Sequence, residues 1–234
     1  MASSKFIFLA FFAITSSLCF AFDPSPLQDF CVADFTSQVF VNGFACKNPT
    51  TVTAEDFFVS GLNNRANTMN PLGVNISTAS VFQVPGLNTL GLTLVRIDYA
   101  PGGVNPPHTH PRATEVIVVL EGTIYAGFVS SSPNDTLYSK VLSAGDVFVF
   151  PQSLTHFNMN YGKSNATALV AFNSQNPGTI IDANNLFGAT PPINDYLLAK
   201  AFQLSKETID ELQAKTWPNP AATNITTNNV FGVN

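Results

Sequence analysis

The sequence predicts an all-β fold with short C-terminal α-helices and a disulfide-stapled N-terminal arm. Between about residues 80 and 174, short runs rich in Val, Ile, Phe, Thr and Tyr alternate with Gly, Pro and Asn turns. This pattern is typical of a β-barrel or β-sandwich. Beyond residue 177 the apolar residues change to helical spacing, and two nearby cysteines predict the staple.

The first 21 residues have the pattern of a secretory signal peptide. A single charge at Lys5 precedes an unbroken apolar run over residues 6–14, and the small residues Cys19 and Ala21 follow. That order matches the charged, apolar and cleavage regions of a leader. We expect cleavage after Ala21 and secretion of residues 22–234. No apolar run reaches the ~18 residues of a membrane helix, so we expect no membrane partner.

The next segment, residues 22–60, is predicted to be an ordered arm. It contains Cys31 and Cys46 and few periodic runs. An even pair of cysteines in an oxidising compartment predicts a disulfide. Closing a loop of this size would stabilise the fold by ~3 kcal/mol in the loop-entropy description. The alternative is a pair of buried free thiols.

Residues 61–176 are predicted to form the β-barrel. The run over 115–120 is apolar on both faces after its first residue, which predicts a central strand. The candidate strands are 91–99, 115–120, 123–129, 147–150, 155–160 and 167–173.

Residues 177–217 are predicted to be helical. Residues 195–202 carry apolar side chains at helical spacing, and Ser205 can cap a second helix with Ile209 and Leu212 on one face. Such short helices are unstable alone, so they must pack on the barrel or on another subunit. The tail at 218–234 is rich in Asn, Thr and Pro, and we expect it to be flexible.

Charge and glycosylation motifs restrict the partners. Without the leader, the chain has nine basic and fifteen acidic residues, a net charge of about −6. The sequence has no basic patch, so we expect no nucleic-acid partner. Four N-x-S/T motifs predict glycans on an extracellular surface. They begin at Asn75, Asn134, Asn165 and Asn224.

All three histidines of the chain belong to two predicted β segments. His108 and His110 are two residues apart, Glu115 heads the next strand, and His156 lies in a later one. Residues two apart in a strand point to the same face. Three imidazoles and one carboxylate suit Mn, Fe, Ni, Cu or Zn. The alternative is a surface H-x-H pair with an unrelated core histidine.

The spacing of these residues resembles the two motifs of the cupin superfamily. The first motif is matched by Gly102, His108, His110, Glu115 and Gly122, and the second by Gly145, Pro151, His156 and Asn160. One residue departs from the second motif: Ser153 lies where the family usually has glycine, which puts the local turn in doubt. The segments QDFCVAD, PGGVNPPHTHPRATE, GDVFVFP and FNSQNPG further resemble the plant germin-like proteins over essentially the whole mature chain.

The resemblance implies a cupin jelly-roll β-barrel with manganese held inside by His108, His110, Glu115 and His156. It also implies a Cys31–Cys46 disulfide, and a homo-hexamer arranged as a trimer of dimers with C-terminal helices clasping neighbouring subunits. The expected location is the extracellular space of plants, the apoplast or cell wall.

Three activities compete under this resemblance. Manganese superoxide dismutase, with superoxide or another small anion as substrate and Asn105 and Asn160 as outer hydrogen-bonding residues, is our first expectation. Oxalate-oxidising members carry two asparagines near the metal. Asn105 is present here, but the position ten residues upstream is Val95, which disfavours oxalate oxidase because a valine offers oxalate no hydrogen bond. The third possibility is a non-enzymatic binding or receptor protein, for example one that binds auxin.

Overall fold

The computed structural model describes residues 28–220. The predicted signal peptide, most of the predicted flexible tail and the Asn224 motif lie outside these residues. Within the described part, no helix is both long enough and apolar enough to cross a membrane.

Two five-stranded antiparallel sheets form the body of the protein. The first has the strand order β1-β2-β9-β4-β7 and the second β10-β3-β8-β5-β6. The strands are β1 Val74–Ala79, β2 Thr93–Tyr99, β3 Val104–Thr109, β4 Glu115–Glu121, β5 Thr123–Val129, β6 Leu137–Ser143, β7 Val147–Phe150, β8 His156–Asn160, β9 Ala166–Phe172 and β10 Ile180–Ile181.

The all-β prediction is confirmed, and all six candidate strands are present with small shifts at their ends. Strand β4 pairs with β9 on one side and β7 on the other, as predicted for a central strand. Four strands were missed. Strand β3 was missed because it contains two consecutive prolines, and β6 because its first five residues are exposed. Strand β10 is only two residues long, and β1 precedes the segment that we predicted to be rich in strands.

The core lies between the sheets and follows the alternation along the strands. On β4, Ile117 and Val119 are fully buried while Val116 between Glu115 and Ile117 is exposed. Ile124 and Ala126 of β5 face them from the second sheet and are also fully buried. Side chains on one face of each strand therefore fill the interior.

The N-terminal arm is stapled as predicted, by a disulfide between Cys31 and Cys46. Hydrogen bonds from the backbone and from one side chain hold the arm to the body. The Ala33 amide donates to the Pro85 carbonyl at 2.9 Å, and the buried Asn88 side chain donates to the Phe44 carbonyl at 2.8 Å.

Three short helices follow the barrel: α1 Asp182–Phe187, α2 Asp195–Phe202 and α3 Lys206–Gln213. The predicted cap of α3 is confirmed, because the Ser205 hydroxyl accepts from the Thr208 amide at 3.2 Å. Leu198 and Ile209 are buried, whereas Tyr196 and Leu197 remain 72% and 56% exposed. The helices therefore leave apolar surface uncovered in a single chain.

Candidate metal centre

The four residues predicted as metal ligands come together in the interior. One potential ligand atom from each of His108, His110, Glu115 and His156 lies within 4.8 Å of the others, and all four side chains are buried. A buried carboxylate beside three imidazoles is unfavourable without a compensating charge. This cluster is therefore a group that can hold a metal ion.

Strand pairing explains how distant residues meet. His108 of β3 pairs directly with His156 at the start of β8. A register shift between Asn105 and His108 interrupts the β3–β8 ladder, and His110 lies one residue beyond the end of β3. Glu115 begins β4 in the facing sheet. The group thus spans both sheets at one end of the barrel.

The Nδ1 nitrogen of each imidazole, which faces away from the group, is fixed by a hydrogen bond to a backbone carbonyl. His108 Nδ1 donates to Pro106 at 2.7 Å, His156 Nδ1 donates to Leu154 at 2.8 Å, and His110 Nδ1 contacts the Gly178 carbonyl. Because a carbonyl only accepts hydrogen bonds, each Nδ1 carries the proton. In the neutral rings every Nε2 then presents a lone pair, as metal-binding histidines do.

The Nε2 nitrogens of the rings and the Glu115 carboxylate are arranged to bind a shared cation and not to hydrogen-bond one another. Glu115 Oε2 lies 3.1 Å from His110 Nε2 and 3.2 Å from His156 Nε2. With protons on Nδ1, both nitrogens and the carboxylate oxygen are acceptors, so no proton joins them. A divalent cation between them satisfies all three. The nitrogen and oxygen donor set suits a first-row transition metal.

Burial and mutual contacts shift the pKa values of His108 and Glu115. Burial lowers the pKa of His108 to about 3, and the neighbouring His156 ring adds to that shift. Burial by itself raises the pKa of Glu115, but when no cation is bound, hydrogen bonds from His110 and His156 reverse this and lower it to about 2. At neutral pH the His108 imidazole is therefore neutral and the Glu115 carboxylate is ionised.

Two phenylalanines hold the rings in place. Phe150 of β7 stacks on His156, with the ring centroids 4.6 Å apart and the planes 23° apart. Phe172 of β9 meets His110 edge-on at 4.6 Å. In the strand register Glu115 lies between Phe150 and Phe172, so these aromatic side chains surround the group with an apolar wall.

A cavity of about 430 Å³ opens beside the group. His108, His110 and Glu115 form one part of its lining. Asn105 lies in the lining, as expected for a residue that contacts a bound anion, and Val95 faces the same space. Other lining residues include the apolar Ile76, Ile97, Phe172 and Ile181, together with Thr93 and Gly178. Further polar side chains also line the cavity: Thr78, Ser80, Gln83, Asn176, Thr179 and Asn219.

The structure places Asn160 away from the metal group, and this corrects our prediction of an outer hydrogen-bonding role. Its amide donates to the Ala100 and Ser164 carbonyls at 2.9 and 2.7 Å, and its carbonyl oxygen accepts from Gly162. Four residues of strand separate Asn160 from His156, about 13 Å. Asn160 therefore ties a turn at the far end of β8.

Burial also argues against one predicted glycan. Asn75 lies in β1 with only 7% of its surface exposed, and the side-chain nitrogen that would carry the glycan donates to the Asn67 carbonyl at 2.9 Å. A glycan must project from the surface. Asn134 and Asn165 are exposed, so they remain predicted sites.

Two residues near the group were not among the predicted site residues, although Gly178 ends the FNSQNPG segment. Gly178 supplies the carbonyl for His110 across 68 residues of chain, and its φ of +69° needs glycine. Thr93 faces the cavity with a buried hydroxyl that has no hydrogen-bond partner among residues 28–220. The alternation of Thr93, Val95 and Ile97 predicted a shared face, but only the fold shows what that face meets.

Comparisons with known proteins agree with this geometry. The sequence model of the Cupin family matches residues 60–210. Germin-like protein 8-5 of Oryza sativa subsp. japonica is 58% identical over 221 residues, which cover 94% of this chain and 99% of that protein. Germin-like protein 8-8 of the same organism is 57% identical over an equal span, with the same coverage of both chains.

Solved structures of related proteins have the same fold. An oxalate oxidase in complex with the substrate analogue glycolate is 44% identical and superposes with a TM-score of 0.79, covering 82% of this chain and 97% of that one. Peruvianin-I, a cysteine peptidase from Thevetia peruviana latex, is also 44% identical, with a TM-score of 0.64 and coverage of 68% and 98%. The fold, the buried histidine–glutamate group and these relatives together show that this chain belongs to the cupin family, among the plant germin-like proteins.

Proposed function

We propose that this chain is a secreted, manganese-dependent superoxide dismutase of the plant cell wall space, acting in defence. The observation that carries the proposal is the buried group of His108, His110, Glu115 and His156 with Val95 in the adjoining cavity. Bound manganese would supply the one-electron redox couple that dismutation requires.

The chain's own residues set the conditions for that chemistry. The three carbonyl-fixed rings and Glu115 provide four donors, which would hold the metal ion and could leave it open to water or superoxide. The Asn105 amide in the cavity lining can donate a hydrogen bond to a bound anion. No Lys or Arg side chain lines this cavity within residues 28–220, so we expect little electrostatic attraction of superoxide and modest turnover.

Oxalate oxidase is the second candidate, favoured by the similarity to the glycolate complex of an oxalate oxidase. Val95 argues against it. The side chain is 5% exposed and faces the cavity, where it cannot hydrogen-bond a dianion. A missing polar contact of this kind reduces discrimination by up to about 10⁴-fold. We therefore rank oxalate oxidation below superoxide dismutation.

The similarity to a cysteine peptidase does not transfer. Both cysteines within residues 28–220 are joined in the disulfide, so the described part of the chain offers no thiolate nucleophile. A non-enzymatic binding protein is the remaining alternative, and it would hold metal without turnover.

The leader, the disulfide and the exposed motifs at Asn134 and Asn165 support secretion to an oxidising compartment. We further propose a hexamer built as a trimer of dimers. The exposed apolar side chains of α2, including Tyr196, Leu197 and Phe202, support contacts with other subunits.

The test is metal analysis of the purified secreted protein, followed by superoxide and oxalate assays in parallel. We expect bound manganese, superoxide dismutation above that of free Mn²⁺ and little oxalate oxidation. His108→Ala removes a ligand and should abolish both metal and activity. Val95→Asn should raise any oxalate activity. Fully metallated protein without superoxide activity would favour the binding role, and oxalate turnover by the unmodified protein would favour the second candidate.

A further inference from the structure

We infer that Gln175 is a positioning residue of the metal centre. It anchors the loop of residues 175–178, whose Gly178 carbonyl holds the His110 ring, to the disulfide-stapled arm. The inference rests on the metal site of the proposed function, but not on dismutation.

The loop of residues 175–178 follows the end of β9 and leads to the metal group. Phe172 is the last residue of β9, and Gly178 contacts His110 Nδ1 six residues later. Residues 176–178 also line the cavity beside the group. A displacement of this loop would therefore move the carbonyl that orients a ligand ring, although the loop itself supplies no ligand.

Gln175 attaches the start of this loop to the segment between β1 and β2. Its side-chain oxygen accepts from the Thr89 amide, and its side-chain nitrogen donates to Asn88 Oδ1 at 3.3 Å. Its carbonyl accepts from the Val81 amide at 3.4 Å. One residue thus makes three hydrogen bonds to a part of the chain that is remote in sequence.

Asn88 extends this connection to the arm. Its side chain is fully buried, and it donates to the Phe44 carbonyl at 2.8 Å and accepts from the Phe44 amide at 3.3 Å. Its side-chain nitrogen also donates to Cys31 Sγ at 3.3 Å. Phe44 lies between the two cysteines of the disulfide. The stapled arm is therefore joined to Gln175 through one buried side chain.

Arg112 provides another attachment of the loop, but it lies only two residues from His110. Its Nε donates to the Asn176 carbonyl at 2.8 Å, and its amide donates to the Pro177 carbonyl at 3.2 Å. These contacts join the loop to the histidine segment itself, so the two can shift together. Gln175 joins the loop to a separate part of the body, and this fixes where the loop lies.

The affinity of the oxidised protein for Mn²⁺, measured by competition with a chelator, tests this role. We expect Gln175→Ala to weaken binding about three- to tenfold, because changing a direct partner of a metal-binding histidine costs about 10- to 100-fold and Gln175 acts one step further away. Gln213→Ala is the matched control. That half-buried glutamine of α3 donates to the Ile193 carbonyl at 2.7 Å and should not affect Mn²⁺ binding.

A spectrum separates positioning of the ligand from a loss of stability. When Co²⁺ replaces Mn²⁺, its visible absorption bands report the arrangement of the ligands. Gln175→Ala should shift these bands, and Gln213→Ala should leave them unchanged. A merely structural role would lower the free energy of unfolding of the metal-free protein without altering the Co²⁺ spectrum.

The connection to the arm predicts a second effect. Reduction of the Cys31–Cys46 disulfide with a phosphine should weaken Mn²⁺ binding about three- to fivefold in the unmodified protein. It should have little effect in Gln175→Ala, where the connection is already broken. Because coupling between two sites is reciprocal, saturating Mn²⁺ should shift the reduction equilibrium of the disulfide by the same factor.

Equal Mn²⁺ affinities of Gln175→Ala and Gln213→Ala, or an unchanged Co²⁺ spectrum in Gln175→Ala, would overturn the inference. Equal losses on reduction in both proteins, with the sheets still folded by circular dichroism, would overturn the connection to the arm. Superoxide assays separate this inference from the proposed function. Metallated protein without dismutation would remove only the proposed activity, whereas dismutation with unchanged affinity in Gln175→Ala would remove only this inference.

Discussion

Gly178 and Arg112 illustrate how single residues outside the ligand set position a ligand. The Gly178 carbonyl accepts a hydrogen bond from His110 Nδ1. Arg112 is packed against that glycine and donates from Nε to the Asn176 carbonyl at 2.8 Å, while the Arg112 amide donates to Pro177 at 3.2 Å. The guanidinium therefore holds the loop whose carbonyl orients the imidazole.

We predict that Gly178→Ala weakens metal binding about tenfold, a typical loss when the partner of a metal-binding histidine is disturbed. The added Cβ would lie 2.7 Å from an Arg112 nitrogen, so the guanidinium must shift away from the glycine. Gly102→Ala is the matched control. Gly102 has φ +70° and nothing within 4 Å of a built Cβ, so it carries the same backbone strain without the contact. Competition with a chelator measures both affinities, and equal losses would contradict the positioning role.

Ser153 resolves the doubt raised by the missing motif glycine. The residue adopts φ +63°, the left-handed conformation that glycine takes readily, and its amide still donates to the His110 carbonyl at 3.2 Å. The turn is therefore kept, with the backbone strain of a non-glycine residue.

We predict that Ser153→Gly stabilises the protein by up to about 1 kcal/mol. Relief of strain of ~1–2 kcal/mol is partly offset by the greater entropy of glycine in the unfolded chain. Chemical denaturation of the metal-free variant measures the difference, with unchanged metal affinity as the expected companion result. Destabilisation would show that the serine side chain contributes more than its backbone costs.

Among the elements, β2 holds the segment of residues 62–66, which precedes β1, through the side chains of Arg96 and Asp98. Asp98 of β2 accepts from Arg96 at 2.7 Å, from the Ala66 amide at 2.9 Å and from Thr167 of β9 at 2.9 Å. Arg96 also donates to the Leu62 carbonyl at 3.1 Å. This ion pair therefore fixes residues 62–66 against the outside of the first sheet.

The Asp98 carboxylate should make stability depend on pH. Burial raises its pKa, but the hydrogen bonds from Arg96, Ala66 and Thr167 outweigh burial and lower it below 3.8. The folded state then binds the proton less readily than the unfolded state, so this stabilisation is present above pH 4 and is lost as pH falls through the folded pKa.

We predict that Asp98→Asn lowers the free energy of unfolding at pH 7 by about 2–4 kcal/mol, because it leaves Arg96 without its charged partner. The difference from the unmodified protein should shrink below about pH 4. Urea denaturation across pH 3–7 measures it. A difference that stays constant over this range would mean that the charge of Asp98 does not contribute.

At the scale of the whole molecule, the C-terminal helices expose apolar surface that a single chain does not cover. Tyr196 is 72% exposed and Phe202 43% exposed, although Leu198 and Ile209 of the same helices are fully buried. The helices thus pack on one another through one face and present a second apolar face. A homo-oligomer would cover that face.

We predict that light scattering of the purified protein gives about six times the subunit mass and that deleting residues 191–217 yields smaller species. Removal of the exposed apolar face should weaken subunit contacts while the two sheets retain their core. Metal content of the truncated protein provides the control for a folded barrel. A stable monomer of the full-length protein at micromolar concentration would contradict this prediction.

The sequence by itself determined six of the ten strands, two of the C-terminal helices and the identity of the ligand group. Six strands, two helices and the Ser205 cap follow from apolar period and capping chemistry, which depend on near neighbours. The motif spacing also identified the four residues that meet in the centre. The edge strands β1, β6 and β10 and the proline-containing β3 escaped prediction because their pairing, and not their composition, makes them strands.

Tertiary structure decided which residues complete the site. His110 receives its partner from Gly178, Asn160 lies too far along β8 to contact the group, and Asn75 is buried beneath neighbouring chain. Val95 and Thr93 became cavity walls only through pairing with β9. These facts depend on contacts between segments remote in sequence, which strand register sets and local pattern does not encode.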